Sequence, residues 1–130
     1  MSNKSIELHD SSIESISKVE DQLFLFIKAY IHQSDGIPGI DKGTGWTQAV
    51  VISFYDASFS SKNKEYPIDI SDGELLVGQK RLSNLIPIPF IGESIELKLE
   101  LINGEEIVLS SQKAEIILLG NPKYIEEFLP

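Results

Sequence analysis

Cysteine is absent from the 130 residues, which excludes disulfides, thiolate metal sites and a cysteine nucleophile. Only His9 and His32 could supply an imidazole to a catalytic triad or a metal site. The longest apolar run, residues 23–27, is far too short to span a bilayer, and the first ten residues lack the apolar stretch of a signal peptide. The sequence therefore predicts a cytoplasmic protein.

Basic residues are few. The chain has 11 lysines and arginines and 20 acidic residues, which gives a net charge of -9. This charge repels phosphate backbones and anionic lipids, so neither nucleic acid nor a membrane is expected as a partner. Part of the acidity is concentrated in one segment that only Lys98 offsets. The candidate residues for binding a basic protein partner are the glutamates of this segment: Glu93, Glu96, Glu100, Glu105 and Glu106.

Hydrophobic residues make up 42% of the chain and charged residues 24%, which is typical of a globular protein with one core. Alternating side chains predict strands at residues 22–32 and 46–55, the second of them central in a sheet. Residues 13–19 predict the first arm of a hairpin, and their spacing of apolar residues indicates a bulge.

The second half of the chain is divided into shorter predicted segments. Residues 66–70 predict a short edge segment, and Asp72-Gly73 predicts a turn before another short strand at 74–77. Residues 86–90 contain two prolines and are expected to be extended. Residues 114–119 predict a last buried strand.

The glutamate-rich segment also gives the clearest local pattern, an antiparallel hairpin. A three-residue loop, 102–104, places Leu99 opposite Ile107 and Leu97 opposite Leu109. A two-residue loop would shift the register by one residue and expose two large side chains, each of which stabilises the fold by about 1.5–3 kcal/mol when buried. We therefore predict the three-residue loop.

A short helix is predicted at the end of the chain. Asn121 is a favourable N-cap and Pro122 a favourable first helical residue. An apolar stripe follows, formed by Tyr124, Ile125, Phe128 and Leu129. The predicted fold is a single globular, mainly β domain over residues 1–130, either an antiparallel β-sandwich or a partly open barrel of about seven strands with a short C-terminal helix.

Residues 34–45 contain four glycines and a proline, so a long shaped loop is expected there. The loop does not match a phosphate-binding loop, because Lys42 precedes its glycine and a strand rather than a helix follows. The sequence spacing of the nearby histidines and aspartates does not match that of a known set of metal ligands, so no metal or cofactor is predicted. The candidate ligand-binding residues are Tyr30, His32, Asp35, Asp41 and Trp46.

Catalytic residues are not predicted anywhere in the chain. His9, Asp10 and Ser11 are adjacent, but neighbours on a strand point to opposite faces and do not form a triad by adjacency. A nucleophile elbow of the type G-x-S-x-G is also lacking.

Several stretches carry a resemblance: HDSSIESI, AYIHQSDGIPGIDKGTGWTQA, DGELLVG, NLIPIPF and LLGNPKYIEEFLP. Through them the chain resembles a family of small bacterial proteins of unknown function over most of its length. The opening residues, 8–16, are similar to the first strand of some β-rich immunity proteins, which neutralise toxins in bacterial competition. The resemblance implies a compact bacterial β domain and carries over no site residues.

Three functional hypotheses follow from these observations. The leading one is a non-enzymatic, immunity-like protein-binding module with a basic partner. The alternative is an enzyme that binds a small molecule or a metal ion at the glycine-rich loop, also with His9. The third is a structural protein that self-associates through an exposed sheet edge.

Overall fold

A computed structural model describes residues 2–130, and these residues form nine β-strands. None of the described residues belongs to a helix long and apolar enough to cross a membrane. In chain order the strands are β1 (Asn3–Val19), β2 (Gln22–Ser34), β3 (Gly43–Tyr55), β4 (Ser58–Ser61), β5 (Ile68–Val77), β6 (Lys80–Ser83), β7 (Leu85–Ile88), β8 (Ile91–Leu101) and β9 (Glu106–Phe128).

The strands pair in antiparallel fashion and form one sheet that curls into a ring. The ring has the order β1-β2-β3-β9-β8-β5. It closes where Ser12 and Ile13 of β1 pair with Asp69 and Ile68 of β5. The three shortest strands, β4, β6 and β7, pair with β9, β5 and β1 respectively. The prediction of a mainly antiparallel β fold is thus confirmed.

The core lies inside the ring. Alternate side chains of each strand point inward, and Leu25 of β2, Phe54 of β3 and Leu97 of β8 are completely buried. The buried apolar residues form one cluster that includes all six ring strands. The period of two in the sequence therefore corresponds to the inner and outer faces of the sheet.

A slip in register allows β1 to change partners along its length. Between Glu7 and Ser12 the pairing with β2 is shifted. The Ser11 hydroxyl lies in this gap, where it donates to the Glu7 carbonyl at 2.7 Å and accepts from the Tyr30 amide at 3.0 Å. These bonds take the place of ladder hydrogen bonds. Before the slip the other edge of β1 pairs with β7, and after it with β5.

The predicted register of the β8–β9 hairpin is confirmed. Leu97 lies opposite Leu109 and Leu99 opposite Ile107, and these side chains are fully buried. Gly104 has a φ of 86°, the left-handed conformation that the three-residue loop requires. Burial of one face and a glycine at the right loop position were sufficient to determine this register.

Other local predictions are confirmed only in part. The predicted bulge in the first hairpin arm appears as a register shift between Ile13 and Ser15. The segments predicted at 66–70 and 74–77 form one strand, β5, which lies inside the ring between β1 and β8 rather than at an edge. Asp72-Gly73 is paired with β8 just after a register shift between Ile70 and Asp72, so it lies within the strand instead of forming a turn. The described residues thus contain nine strands, where about seven were predicted.

The predicted C-terminal helix is wrong, because β9 continues as a strand to Phe128. Gly120, with a φ of 64°, and Pro122 lie in a bulge opposite Gln48, whose Nε2 donates to the Gly120 carbonyl at 3.1 Å. The missing N–H of Pro122 costs little where the ladder is interrupted. Beyond the bulge the strand covers residues 43–47 of β3, and this long-range pairing outweighs the local helix signals.

Replacing Gly120 with Ala should lower the free energy of unfolding by about 1–2 kcal/mol, because a residue with a Cβ is strained at this positive φ. No atom lies within 4 Å of the added Cβ, so a clash does not contribute. Urea denaturation measures the effect. Gly120→Asn is the matched control and should lose less stability, since Asn tolerates the left-handed region better. An unchanged stability of the Ala variant would contradict the argument.

Candidate functional site

Polar and aromatic side chains from β1, β2 and β9 meet on the outer face of the ring. His32 Nε2 donates to Glu7 Oε2 at 2.6 Å, and the Tyr30 hydroxyl donates to Glu126 Oε1 at 2.7 Å. The His32 ring contacts the rings of Tyr30 and Phe128 edge to face, with centroid distances of 4.9 and 4.8 Å. We refer to these five residues as the outer cluster.

His32 is only 4% exposed, although it lies on the outer face. Phe128 and the backbone at Gly39 of the glycine-rich loop lie against its ring. Its Nδ1 is buried and has no hydrogen-bond partner among residues 2–130, an arrangement that costs about 1–3 kcal/mol. Because one nitrogen is held by Glu7 and the other is buried, the imidazole does not face solvent. His32 therefore connects strands rather than presenting a reactive group.

Tyr30 extends across β3 to reach Glu126. Gly45 makes this path possible, because a Cβ at that position would overlap the Tyr30 hydroxyl. Burial of the phenol, together with the Glu126 carboxylate, raises the pKa of Tyr30 well above its ordinary value. The hydroxyl therefore stays protonated and remains a hydrogen-bond donor.

Asp10 lies beside the outer cluster and borders an open pocket of about 270 Å³, which Lys28 and Tyr30 also line. Desolvation raises the pKa of the Asp10 carboxyl, and the charge of Glu7 and a hydrogen bond with it raise it further. Perturbed carboxyl groups occur at functional sites and also in structural ion networks. Here the perturbation follows from the slip in β1, which brings two carboxyl groups together.

The glycine-rich loop forms a separate cleft of about 610 Å³. Its charged walls are Asp35, Asp41, Lys42 and Glu127. Asp41 holds the loop in shape, because its Oδ2 accepts a hydrogen bond from the amide of Ile37 at 2.7 Å. The shaped loop predicted at residues 34–45 is present, although its last residues, from Gly43, already belong to β3.

Trp46 lies apart from the outer cluster. Its indole packs against the core and contacts the ring of Tyr124 edge to face at 5.3 Å, and Nε1 donates to Thr44 Oγ1 at 2.8 Å. The predicted ligand-binding residues are therefore divided among the outer cluster, the loop cleft and this aromatic pair, instead of forming one site.

Three carboxylates lie in direct register on the outer face of another part of the ring. Asp72 of β5 is opposite Glu100 of β8, which is in turn opposite Glu106 of β9. All three are exposed, and none makes a salt bridge within the described part of the chain. By contrast, the neighbouring Glu74 pairs with Arg81 at 3.2 Å. We call Asp72, Glu100 and Glu106 the acidic row.

The remaining predicted partner-binding glutamates are placed differently. Glu93 lies opposite Lys113 and Glu96 opposite Ser110, while Glu105 lies next to the hairpin loop. His9 approaches the acidic row from β1, where its exposed ring donates from Nδ1 to the Ser71 carbonyl at 2.6 Å. This hydrogen bond, with the nearby carboxylates, raises the pKa of His9.

No group of three potential metal ligands among residues 2–130 is arranged to hold a metal ion. Comparisons with protein-family models, curated proteins and solved structures found no match to this chain. The resemblance to a family of small bacterial proteins therefore stays a prediction, and the function has to be argued from the surfaces themselves.

Sequence reasoning missed Glu7, Asp72, Glu126 and Phe128. Glu7 is the last residue of β1 before the slip, and no local pattern in the sequence indicates that it pairs with Tyr30. Glu126 and Phe128 join the outer cluster only because β9 is a strand. Asp72 could have been found if its turn signal had been interpreted as an interruption within one strand.

Asp10→Asn should stabilise the protein at neutral pH. The pKa of Asp10 is higher in the folded than in the unfolded chain, so the folded state binds the proton more tightly and stability falls as the pH rises through the folded value. Asparagine removes this loss. Urea unfolding at neutral pH should show the gain, which should vanish at about pH 3, where the carboxyl is protonated in both states. The exposed Asp21→Asn serves as the control, and an equal gain from it would refute the explanation.

Glu106→Gln should raise the free energy of unfolding by about 0.2–1 kcal/mol at low salt, because it removes a like-charge pair across β8 and β9. The gain should shrink at about 1 M salt, where charges are screened. The matched control is Glu14→Gln, another exposed glutamate. If Glu106→Gln is neutral at low salt, the acidic row carries no repulsion.

Proposed function

We propose that this protein is a non-enzymatic protein-binding module, and that its partner presents a basic surface to the acidic row. The observation that carries the proposal is the direct register of Asp72, Glu100 and Glu106 on three adjacent strands, where none of them forms a salt bridge within residues 2–130. Lys98 lies beside them on the same face and offsets only one of the three charges. Like charges in this position oppose folding. A partner that supplies lysine or arginine side chains relieves this repulsion on binding.

Rigidity and long-range charge support the same function. The acidic row lies on three ring strands, which hold the carboxylates in fixed positions. The net charge of -9 attracts a basic partner over distance and speeds its association. The similarity of residues 8–16 to the first strand of β-rich immunity proteins fits a function in binding another protein.

Binding of a small molecule in the loop cleft is the second candidate. A volume of about 610 Å³ and the presence of Lys42 among three carboxylates favour it. The cleft is open, and none of the described residues that line it has a large apolar side chain, so little of a ligand would be buried against apolar groups there. For this reason we rank it below the acidic row.

A triple variant, Asp72→Asn with Glu100→Gln and Glu106→Gln, tests the proposal. Wild type and variant are each immobilised on a resin and exposed to a lysate of the source organism. The wild type should retain a basic protein that the variant does not retain. The purified partner should then bind the variant at least about tenfold more weakly by calorimetry, and its affinity for the wild type should fall with salt.

The matched control is another triple variant with the same change in charge, Glu14→Gln with Asp21→Asn and Glu65→Gln, at exposed positions outside the acidic row. It should bind the partner as the wild type does. An equal loss of binding in both variants would show that only net charge matters. Binding that is insensitive to salt and to the triple variant would exclude the acidic row.

A further inference from the structure

The outer half of β9 has a bare edge. Between residues 106 and 115 the strand is paired with β8 on one side, and from 113 onward with β3 on the other. Past the contact of the Ile116 amide with the Phe90 carbonyl, no strand of residues 2–130 covers the β8 side. Every residue from 117 to 127 is exposed. An uncovered edge of this length is a template for another strand.

Large apolar side chains accompany this bare edge. Tyr124 is 53% and Ile125 46% exposed, and Leu119 lies exposed just before the bulge. Natural edges are commonly protected by inward charges or by a covering loop. Here the apolar residues stay in solvent, which is typical of an interaction surface.

The charges along the edge are complementary to themselves. Lys123 is opposite Thr47, and Thr47 is opposite Tyr30, so Lys123 shares the face of Tyr30. Glu126 shares that face as well, because the Tyr30 hydroxyl donates to its Oε1 and holds the carboxylate there. Ile125 is the extra residue of a bulge between them, which explains why two residues three positions apart lie on the same side.

We infer that the outer half of β9 pairs with the same segment of a second copy of this chain. The two strands run antiparallel about a twofold axis between Tyr124 and Ile125. Lys123 of each copy then lies opposite Glu126 of the other. The single pattern therefore supplies two identical ion pairs, as an isologous interface requires. The pairing uses a different part of β9 from the acidic row.

Charge reversal with rescue tests this pairing. Sedimentation equilibrium over a concentration series should show a weak dimer for the wild type, since the ribbon is short. Lys123→Glu and Glu126→Lys should each weaken dimerisation about tenfold, because both cross-axis pairs become repulsive. An equimolar mixture of the two variants should restore dimers, because every pair is again one lysine and one glutamate.

Lys18→Glu is the matched control, because it changes the net charge equally at an exposed position on β1. It should dimerise more strongly than Lys123→Glu. Glu126→Lys loses the hydrogen bond from the Tyr30 hydroxyl, so circular dichroism is used to check that this variant still folds. Lys123→Glu keeps that hydrogen bond. A wild type that stays monomeric at its highest soluble concentration, or a mixture that forms no more dimer than the separate variants, overturns the inference. Neither result affects binding of a basic protein at the acidic row.

Discussion

β1 pairs with β2 along nearly its whole length, yet the ring depends on the few residues where that pairing slips. Ser11 supplies the hydrogen bonds that the ladder loses there, to the Glu7 carbonyl and the Tyr30 amide. Because of the slip, β1 pairs with β7 before it and closes the ring against β5 after it. The same slip places Glu7 next to His32 and Asp10, so the closure of the sheet and the outer cluster have one cause.

Features that depend on neighbouring residues could be predicted from the sequence. Alternation identified β2 and β3, and burial of one face fixed the β8–β9 register, because a slip of one residue would have exposed Ile107 and Leu109. Gly104 in the left-handed conformation completed that hairpin. In each case the deciding energy comes from residues close together in the chain.

Features that depend on distant pairing could not be predicted. Asn121, Pro122 and the apolar stripe after them favour a helix locally, but the first residues of β3 need a partner strand, and β9 provides it. Once this segment is a strand, Phe128 reaches His32 and Glu126 reaches Tyr30. A single error in secondary structure therefore hid two of the five residues of the outer cluster, and it also hid the bare edge.

The two halves of β9 differ in how easily they can open. Amides from 106 to 116 lie in the closed ring, so their exchange with solvent deuterium requires disruption of the core. From 117 to 128 the strand has a neighbour on one side only, and Gly120 interrupts its ladder. That half can detach from β3 as a local unit while the ring stays folded, so one continuous strand spans two regions of different local stability.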